Sequence, residues 1–112
     1  MKKIAINCRD LTDIEQKILA SVKFRVAEIM RNSLHYGLFS VMFFRGKLLA
    51  TDKNDVHNLL VFVADTKEEG ILALSQDADD FILAPLTQEG LLNYLFALIA
   101  VSVSPDLGKS GE

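Results

Sequence analysis

The sequence predicts an α/β domain in which helices cover both faces of a parallel β-sheet. Apolar runs of strand length alternate along the chain with segments that have helical periodicity. The run Leu38–Phe44 is almost continuously apolar, which is typical of a central parallel strand that is buried on both faces. Half of the 112 residues are hydrophobic and only 8% are aromatic, as expected for such a sheet. We therefore expect one doubly wound domain with a single core.

The first elements should be a strand and a helix. Ile4–Ile6 is a short apolar run, and Thr12 and Glu15 have the spacing of a capping box, which begins a helix. The end of this helix is ambiguous. Val22 and Val26 continue the helical spacing, whereas Phe24–Ile29 also alternates like an edge strand. Both interpretations are open from the residues alone.

The rest of the chain alternates between buried strands and helices. Their expected ranges are 32–37 (a shortened helix), 38–44 (strand), 52–57 (a turn or two of helix), 59–63 (strand), 66–74 (helix), 81–83 (strand) and 88–101 (helix). Thr66 with Glu69, and Thr87, should cap the last two helices. The polar tail 104–112 contains Pro and Gly and is expected to be a linker or a disordered end. The domain should then span residues 1–103.

The composition excludes some classes of binding partner and favours one cellular compartment. The net charge of −3 is spread over mixed acids and bases, so we expect no direct binding to nucleic acid or to an anionic membrane. The single cysteine, Cys8, excludes an internal disulfide and fits the reducing cytoplasm. Asn7, Arg9 and Asp10 interrupt the apolar run that an export signal needs. The uncharged stretch 90–105 is shorter than the roughly 20 apolar residues that span a bilayer, so we expect a buried helix.

The segment from residue 73 to residue 98 carries the most specific signal. A helix ends in Ala73-Leu74, the turn Ala78-Asp79-Asp80 enters a short apolar strand, and Pro85 follows that strand before the last helix. This pattern resembles the receiver domains of two-component response regulators, most closely those of the OmpR/PhoB type. The resemblance implies a CheY-like or flavodoxin-like (βα)5 sandwich with a five-stranded parallel sheet and shortened second and third helices. It also favours a strand over a helix at Phe24–Ile29.

The residues that transfer the phosphoryl group in that family are absent from the matching positions. An active receiver needs an acidic cluster after its first strand to hold Mg²⁺, because this hard cation requires carboxylate oxygens. Here those positions are Cys8, Arg9 and Asp10. The aspartate that accepts the phosphoryl group after the third strand is replaced by Phe44 and Arg45.

The switch positions of the family are also changed. The Ser/Thr switch falls at Ala64, and the lysine that bridges to the phosphate falls at Ala84. No acidic residue occurs from position 29 to position 51, so the missing acceptor does not depend on the alignment. The resemblance therefore implies a pseudo-receiver outside any phosphorelay, with no enzymatic activity, metal or cofactor. Arg45 has two interpretations: it pairs with Asp10 and holds an active-like state, or it lies in solvent at the sheet edge.

The resemblance also implies a dimer interface. OmpR/PhoB-type receivers dimerise through the fourth helix, the fifth strand and the fifth helix, with ion pairs between the Asp-Asp turn and basic residues of the last helix. In this chain Tyr94 and Phe96 stand at those basic positions, so the ionic network cannot form. The last helix is apolar on both sides, and a partner should cover its outer patch. The expected interface residues of a homodimer are Leu74, Asp79, Asp80, Tyr94 and the outer patch Leu92, Phe96 and Ile99.

We therefore expect a regulatory module that dimerises without phosphorylation and controls an output domain, which the resemblance implies to be a DNA-binding transcriptional regulator domain. The alternatives are a stand-alone adaptor that binds another signalling protein and, third, a small α/β enzyme that uses Cys8, Asp10 and Arg45. A receiver-like tail on a different doubly wound domain also remains open. His35 and His57 have no second ligand at metal spacing, so we expect no metal site.

Overall fold

Four parallel strands and three helices alternate along the chain. The structure is a computed structural model that describes residues 3–31, 38–48 and 58–103. The elements in chain order are β1 (Lys3–Arg9), α1 (Asp13–Met30), β2 (Leu38–Phe44), β3 (Asn58–Ala64), α2 (Lys67–Ser75), β4 (Asp80–Leu83) and α3 (Gln88–Val103). The strands form one sheet in the order β1-β2-β3-β4, and every neighbouring pair is parallel. The expected α/β class with a parallel sheet is confirmed.

Helices α1 and α3 cover one face of the sheet. Val41 and Phe43 of β2 point to this face, because alternate side chains of a strand lie on opposite sides. The main core forms here from buried residues of β1, β2, β3, α1 and α3. Its members in these elements are Ile6, Leu19, Val22, Val26, Val41, Phe43, Val61, Val63, Leu91, Leu95 and Ile99.

Helix α2 packs on the opposite face. A smaller cluster of Phe44, Leu60, Ala73 and Ala78 is buried there. The contact between α2 and β4 is very close at Gly70, where a Cβ atom would overlap the ring of Phe81. This glycine therefore lets the helix lie directly on the strand.

The segment Phe24–Ile29 belongs to helix α1, so the expected strand is wrong. The helical spacing decides the conformation, because Val22 and Val26 are almost completely buried against the sheet while Phe24 is 66% exposed. The sheet consequently has four strands in the described residues, and the expectation of five strands is also wrong. The shortened helix expected at 32–37, the turns at 52–57 and the tail at 104–112 lie outside the described residues.

Several local expectations are confirmed. Strand β2 spans the predicted residues 38–44. Thr12 and Glu15 form the predicted capping box of α1, and Thr66 caps α2 by accepting a hydrogen bond from the backbone N–H of Glu69. Thr87 accepts one from the N–H of Gly90 at the start of α3. Within residues 3–31, 38–48 and 58–103, no helix has both the length and the apolar character that a membrane span requires.

Candidate functional site

The carboxyl ends of the four parallel strands bring several predicted site residues to one edge of the sheet. Asp10 follows β1, Arg45 follows β2, Asp65 follows β3 and Ala84 follows β4. In open parallel sheets this edge is where ligands generally bind. We call it the carboxyl edge.

Arg45 is held at the carboxyl edge by two carboxylates. Its Nε donates to Oε1 of Glu15 at 2.9 Å, and its Nη2 donates to Oε2 of the same residue at 2.6 Å. The same Nη2 also donates to Oδ1 of Asp65 at 3.1 Å. The Arg45 side chain is 20% exposed and that of Glu15 only 8%, so their ion pair is largely shielded from water. Two guanidinium nitrogens are therefore engaged by carboxylates of the same chain.

The position of Glu15 follows from the start of helix α1. Its Oε1 accepts a hydrogen bond from the backbone N–H of Thr12 at 3.0 Å, and the N–H of Glu15 donates to the Thr12 hydroxyl at 3.2 Å. The hydrogen bonds from Arg45 hold the pKa of Glu15 below its ordinary value, although burial opposes this shift. The two carboxylates in turn raise the pKa of Arg45. Both groups are charged over the physiological pH range.

Arg45 does not pair with Asp10, so both sequence interpretations of Arg45 are wrong: it is neither bound to Asp10 nor free in solvent. Asp10 instead lies 3.7 Å from Nε of Arg9 and adopts a positive φ of 61°. The Arg9 guanidinium lies 5.4 Å from the ring centre of Phe44 and donates to the backbone oxygen of Lys47 at 2.7 Å. Asp10 and Arg45 thus belong to separate ion pairs.

The other candidate site positions at this edge, Phe44, Ala64 and Ala84, are apolar. Phe44 and Ala64 are fully buried, and the backbone N–H of Ala84 donates to the carbonyl of Ala64 at 2.8 Å. The bond between Ala84 and Pro85 is cis. Cys8 is exposed. Sequence reasoning did not find Glu15 and Asp65 as partners of Arg45.

The acids of the predicted interface make hydrogen bonds within the chain. Oδ2 of Asp79 accepts from the N–H of Leu60 at 2.8 Å, and Oδ2 of Asp80 accepts from the hydroxyl of Tyr94 at 2.7 Å. Burial, together with the hydrogen bond to Asp80, raises the pKa of Tyr94 far above its ordinary value. The neutral phenol of Tyr94 is therefore the hydrogen-bond donor to Asp80.

The outer patch expected on α3 is not a single surface. Ile99 is only 3% exposed and belongs to the main core, so its assignment to the outer side is wrong. It follows the fully buried Leu95 by four residues, only about 40° around the helix axis, which explains its burial. Leu92 and Phe96, both half-buried, lie about 160° around the helix axis from Tyr94, because each residue turns the helix by about 100°. They are therefore on the flank of α3 that faces away from β4.

A different apolar surface lies beside the edge strand β4. Ile71 is 53% exposed, Leu74 is 41% exposed, and Leu83 is 51% exposed. Leu72 borders a cavity over β2 and β3, so its flank of α2 faces those strands. Ile71 and Leu74 lie on the opposite flank of α2. They must therefore lie on the β4 side. We call Ile71, Leu74 and Leu83 the β4-edge surface.

No family model, curated protein or solved structure matches this chain. The described residues contain no cluster of three or more His, Cys, Asp or Glu side chains that could hold a metal ion. The structure offers two features from which a function can be inferred, the carboxyl edge and the β4-edge surface. The first is filled by ion pairs within the chain, and the second exposes three apolar side chains to solvent.

Proposed function

We propose that this chain is a cytoplasmic, receiver-like regulatory domain that works without phosphorylation, self-associates through the β4-edge surface and thereby controls the geometry of an output domain. The strand order supports the receiver-like part. A flavodoxin-like sheet has the order 2-1-3-4-5, and removing its second strand leaves four parallel strands in sequential order, as here. The segment that the resemblance assigned to that second strand is part of α1.

The ion pairs of Arg45 carry the proposal. In a phosphorylated receiver, a bound cation and a carboxylate acceptor meet at the carboxyl edge. In this chain the guanidinium of Arg45 stands at that edge and is already bound to Glu15 and Asp65. A phosphoryl group that entered would meet two carboxylates and one cation, which gives it little electrostatic stabilisation. The proposed domain therefore has one state at this edge, whatever the phosphodonor.

The β4-edge surface supports self-association. Exposed apolar side chains that are grouped together favour association, because covering them removes apolar area from water. Asp80 accepts a hydrogen bond from Tyr94 of the same chain. An interface here therefore depends on apolar contact instead of ion pairs between the subunits. A two-fold symmetric dimer places the same apolar surface against itself, which makes its centre apolar. The identity of the output domain, a DNA-binding transcriptional regulator domain, rests on the resemblance alone.

Incubation with Mg²⁺ and acetyl phosphate, followed by intact mass spectrometry, tests the loss of phosphoryl chemistry. We expect no product heavier by one phosphoryl group. An aspartyl phosphate, recognised by its loss at alkaline pH, would contradict the proposal. If the protein is unmodified but monomeric at all concentrations, the adaptor alternative is favoured, because the β4-edge surface would then serve a different protein.

A further inference from the structure

A cavity lies on the other flank of α2, over the ends of β2 and β3. Its volume is about 220 Å³. Phe44 and Phe62 form its floor, with ring centres 5.4 Å apart in an edge-to-face arrangement. Leu48, Leu72 and Ala73 contribute to its apolar walls. The cavity is therefore concave and mainly apolar, as small-molecule sites generally are.

Leu72 gives this cavity an apolar wall that is open to water. Leu72 is 57% exposed, because the face of the nine-residue helix that packs on the sheet is the one that carries Gly70 and Ala73. Phe62 in the floor is only half-buried, although β3 lies inside the sheet. A ligand that covered both side chains would remove apolar area from water without any rearrangement of the core.

A carboxylate lies at the cavity wall. Among the described residues that line the cavity, Glu69 alone is charged. Its carboxylate is held near the start of α2 by Thr66, whose hydroxyl lies 3.4 Å from Oε2 and accepts from the N–H of Glu69 at 3.2 Å. This position favours a ligand with a cationic hydrogen-bond donor, because such a donor forms a charge-assisted bond to a carboxylate.

We propose that this cavity binds a small molecule that carries one aromatic ring and a primary amine. The ring lies between Phe62 and Leu72, and the ammonium group donates to Glu69. The size is suitable, because an apolar cavity of about 150 Å³ accommodates benzene, and the larger volume here leaves room for a short aminoalkyl group. The proposal does not depend on self-association, since the cavity and the β4-edge surface lie on opposite flanks of α2.

Benzylamine is the probe for this site, followed by ¹H–¹⁵N correlation spectra of the labelled protein. A molecule of this size is expected to bind in the millimolar range. The expected result is saturable shifts of the amides of Gly46 and of α2 residues that line the cavity. Benzyl alcohol, which lacks the charge, should bind more weakly at the same place, and phenylacetate should not bind. Saturable shifts elsewhere, no saturation, or equal binding of phenylacetate would overturn the proposal.

Two substitutions measure separately how the carboxylate and the apolar wall contribute to ligand binding. Glu69→Gln should weaken benzylamine binding about threefold, as expected for an exposed ion pair, and leave benzyl alcohol binding unchanged. Glu68→Gln is the matched control on the same exposed helix turn and should change neither. Leu72→Ala should weaken both ligands, because it removes part of the wall. The proposal is wrong if Glu68→Gln weakens benzylamine binding as much as Glu69→Gln does, or if Leu72→Ala changes neither ligand.

Discussion

Arg45 joins two carboxylates that come from different parts of the chain. Glu15 belongs to the first turn of α1, and Asp65 follows β3. The Asp65 side chain is 62% exposed, so its pair with Arg45 is weak in water. The pair with Glu15 matters more, because the Glu15 side chain is only 8% exposed and its carboxylate would be left without a counterion.

Arg45→Met should lower the free energy of unfolding by about 2–4 kcal/mol, because it removes one partner of a largely buried ion pair. Urea denaturation at neutral pH measures this value. Arg25→Met is the control, since Arg25 is exposed on α1, and its effect should stay within about 0.5 kcal/mol. The double variant Glu15→Met with Arg45→Met should recover part of the loss. Equal stability of Arg45→Met and the unmodified protein would contradict the account.

The same ion pair gives the stability a definite dependence on pH. The pKa of Glu15 is lowered in the folded protein, mainly by its hydrogen bonds from Arg45. Its contribution is therefore complete above the unfolded pKa of about 4.3 and is lost as the pH falls through the folded value. We expect the stabilities of the unmodified protein and of Arg45→Met to converge as the pH falls below about 4.3. Urea midpoints measured from neutral pH to strongly acidic pH test this, and a constant difference would contradict it.

At the scale of elements, the sequence predicted those parts of the fold that depend on local signals. The strand β2 and the caps at Thr12, Thr66 and Thr87 follow from apolar runs and hydroxyl residues at fixed spacing. At Phe24–Ile29 the resemblance favours a strand, whereas the helical spacing of the valines favours a helix. The burial of Val26 shows that the spacing was the better guide.

The candidate site could be predicted only in part. Parallel strands end at one edge, so the meeting of Arg9, Asp10 and Arg45 at the carboxyl edge follows from strand order. The pairing of Arg45 with Glu15 did not follow, because Glu15 already had a sequence interpretation as a capping residue. The cap uses only Oε1 of Glu15, so an acid at this capping position is also a candidate partner for a cation. The burial of Ile99 was missed because three-residue and four-residue spacings both fit an apolar helix.

The close contact between α2 and β4 leaves no room for a side chain at Gly70. Gly70→Ala should destabilise the protein by about 1–2 kcal/mol, because the overlap of the new methyl group with Phe81 outweighs the better helix propensity of alanine. Glu68→Ala on the same helix is the control and should be nearly neutral. In a Phe81→Leu background the cost of Gly70→Ala should shrink, as urea denaturation of all four combinations would show. A stabilising Gly70→Ala change would mean that the helix does not lie this close to the strand.

At the scale of the whole molecule, α2 separates two surfaces. One flank carries Ile71 and Leu74 beside β4, and the other carries Glu69 and Leu72 over the cavity. Gly70 and Ala73, which are buried against the sheet, lie between these two flanks. A substitution on one flank should therefore leave the function of the other flank intact, which lets the two proposals be tested separately.

The self-association proposal has a matched pair of variants. Ile71→Lys places a charge in the β4-edge surface and should dissociate the dimer, because a buried unpaired ammonium group is costly. Phe24→Lys makes the same change at another exposed apolar residue, on α1, and should leave the dimer intact. Neither side chain is buried within its own subunit, so both variants should fold.

Sedimentation velocity over the micromolar concentration range, with and without Mg²⁺ and acetyl phosphate, tests the claim that the domain dimerises without phosphorylation. We predict a reversible dimer with the same dissociation constant in both conditions, which Ile71→Lys converts to a monomer and Phe24→Lys does not. A dimer that forms only with the phosphodonor would contradict the claim, and so would a monomer at every concentration.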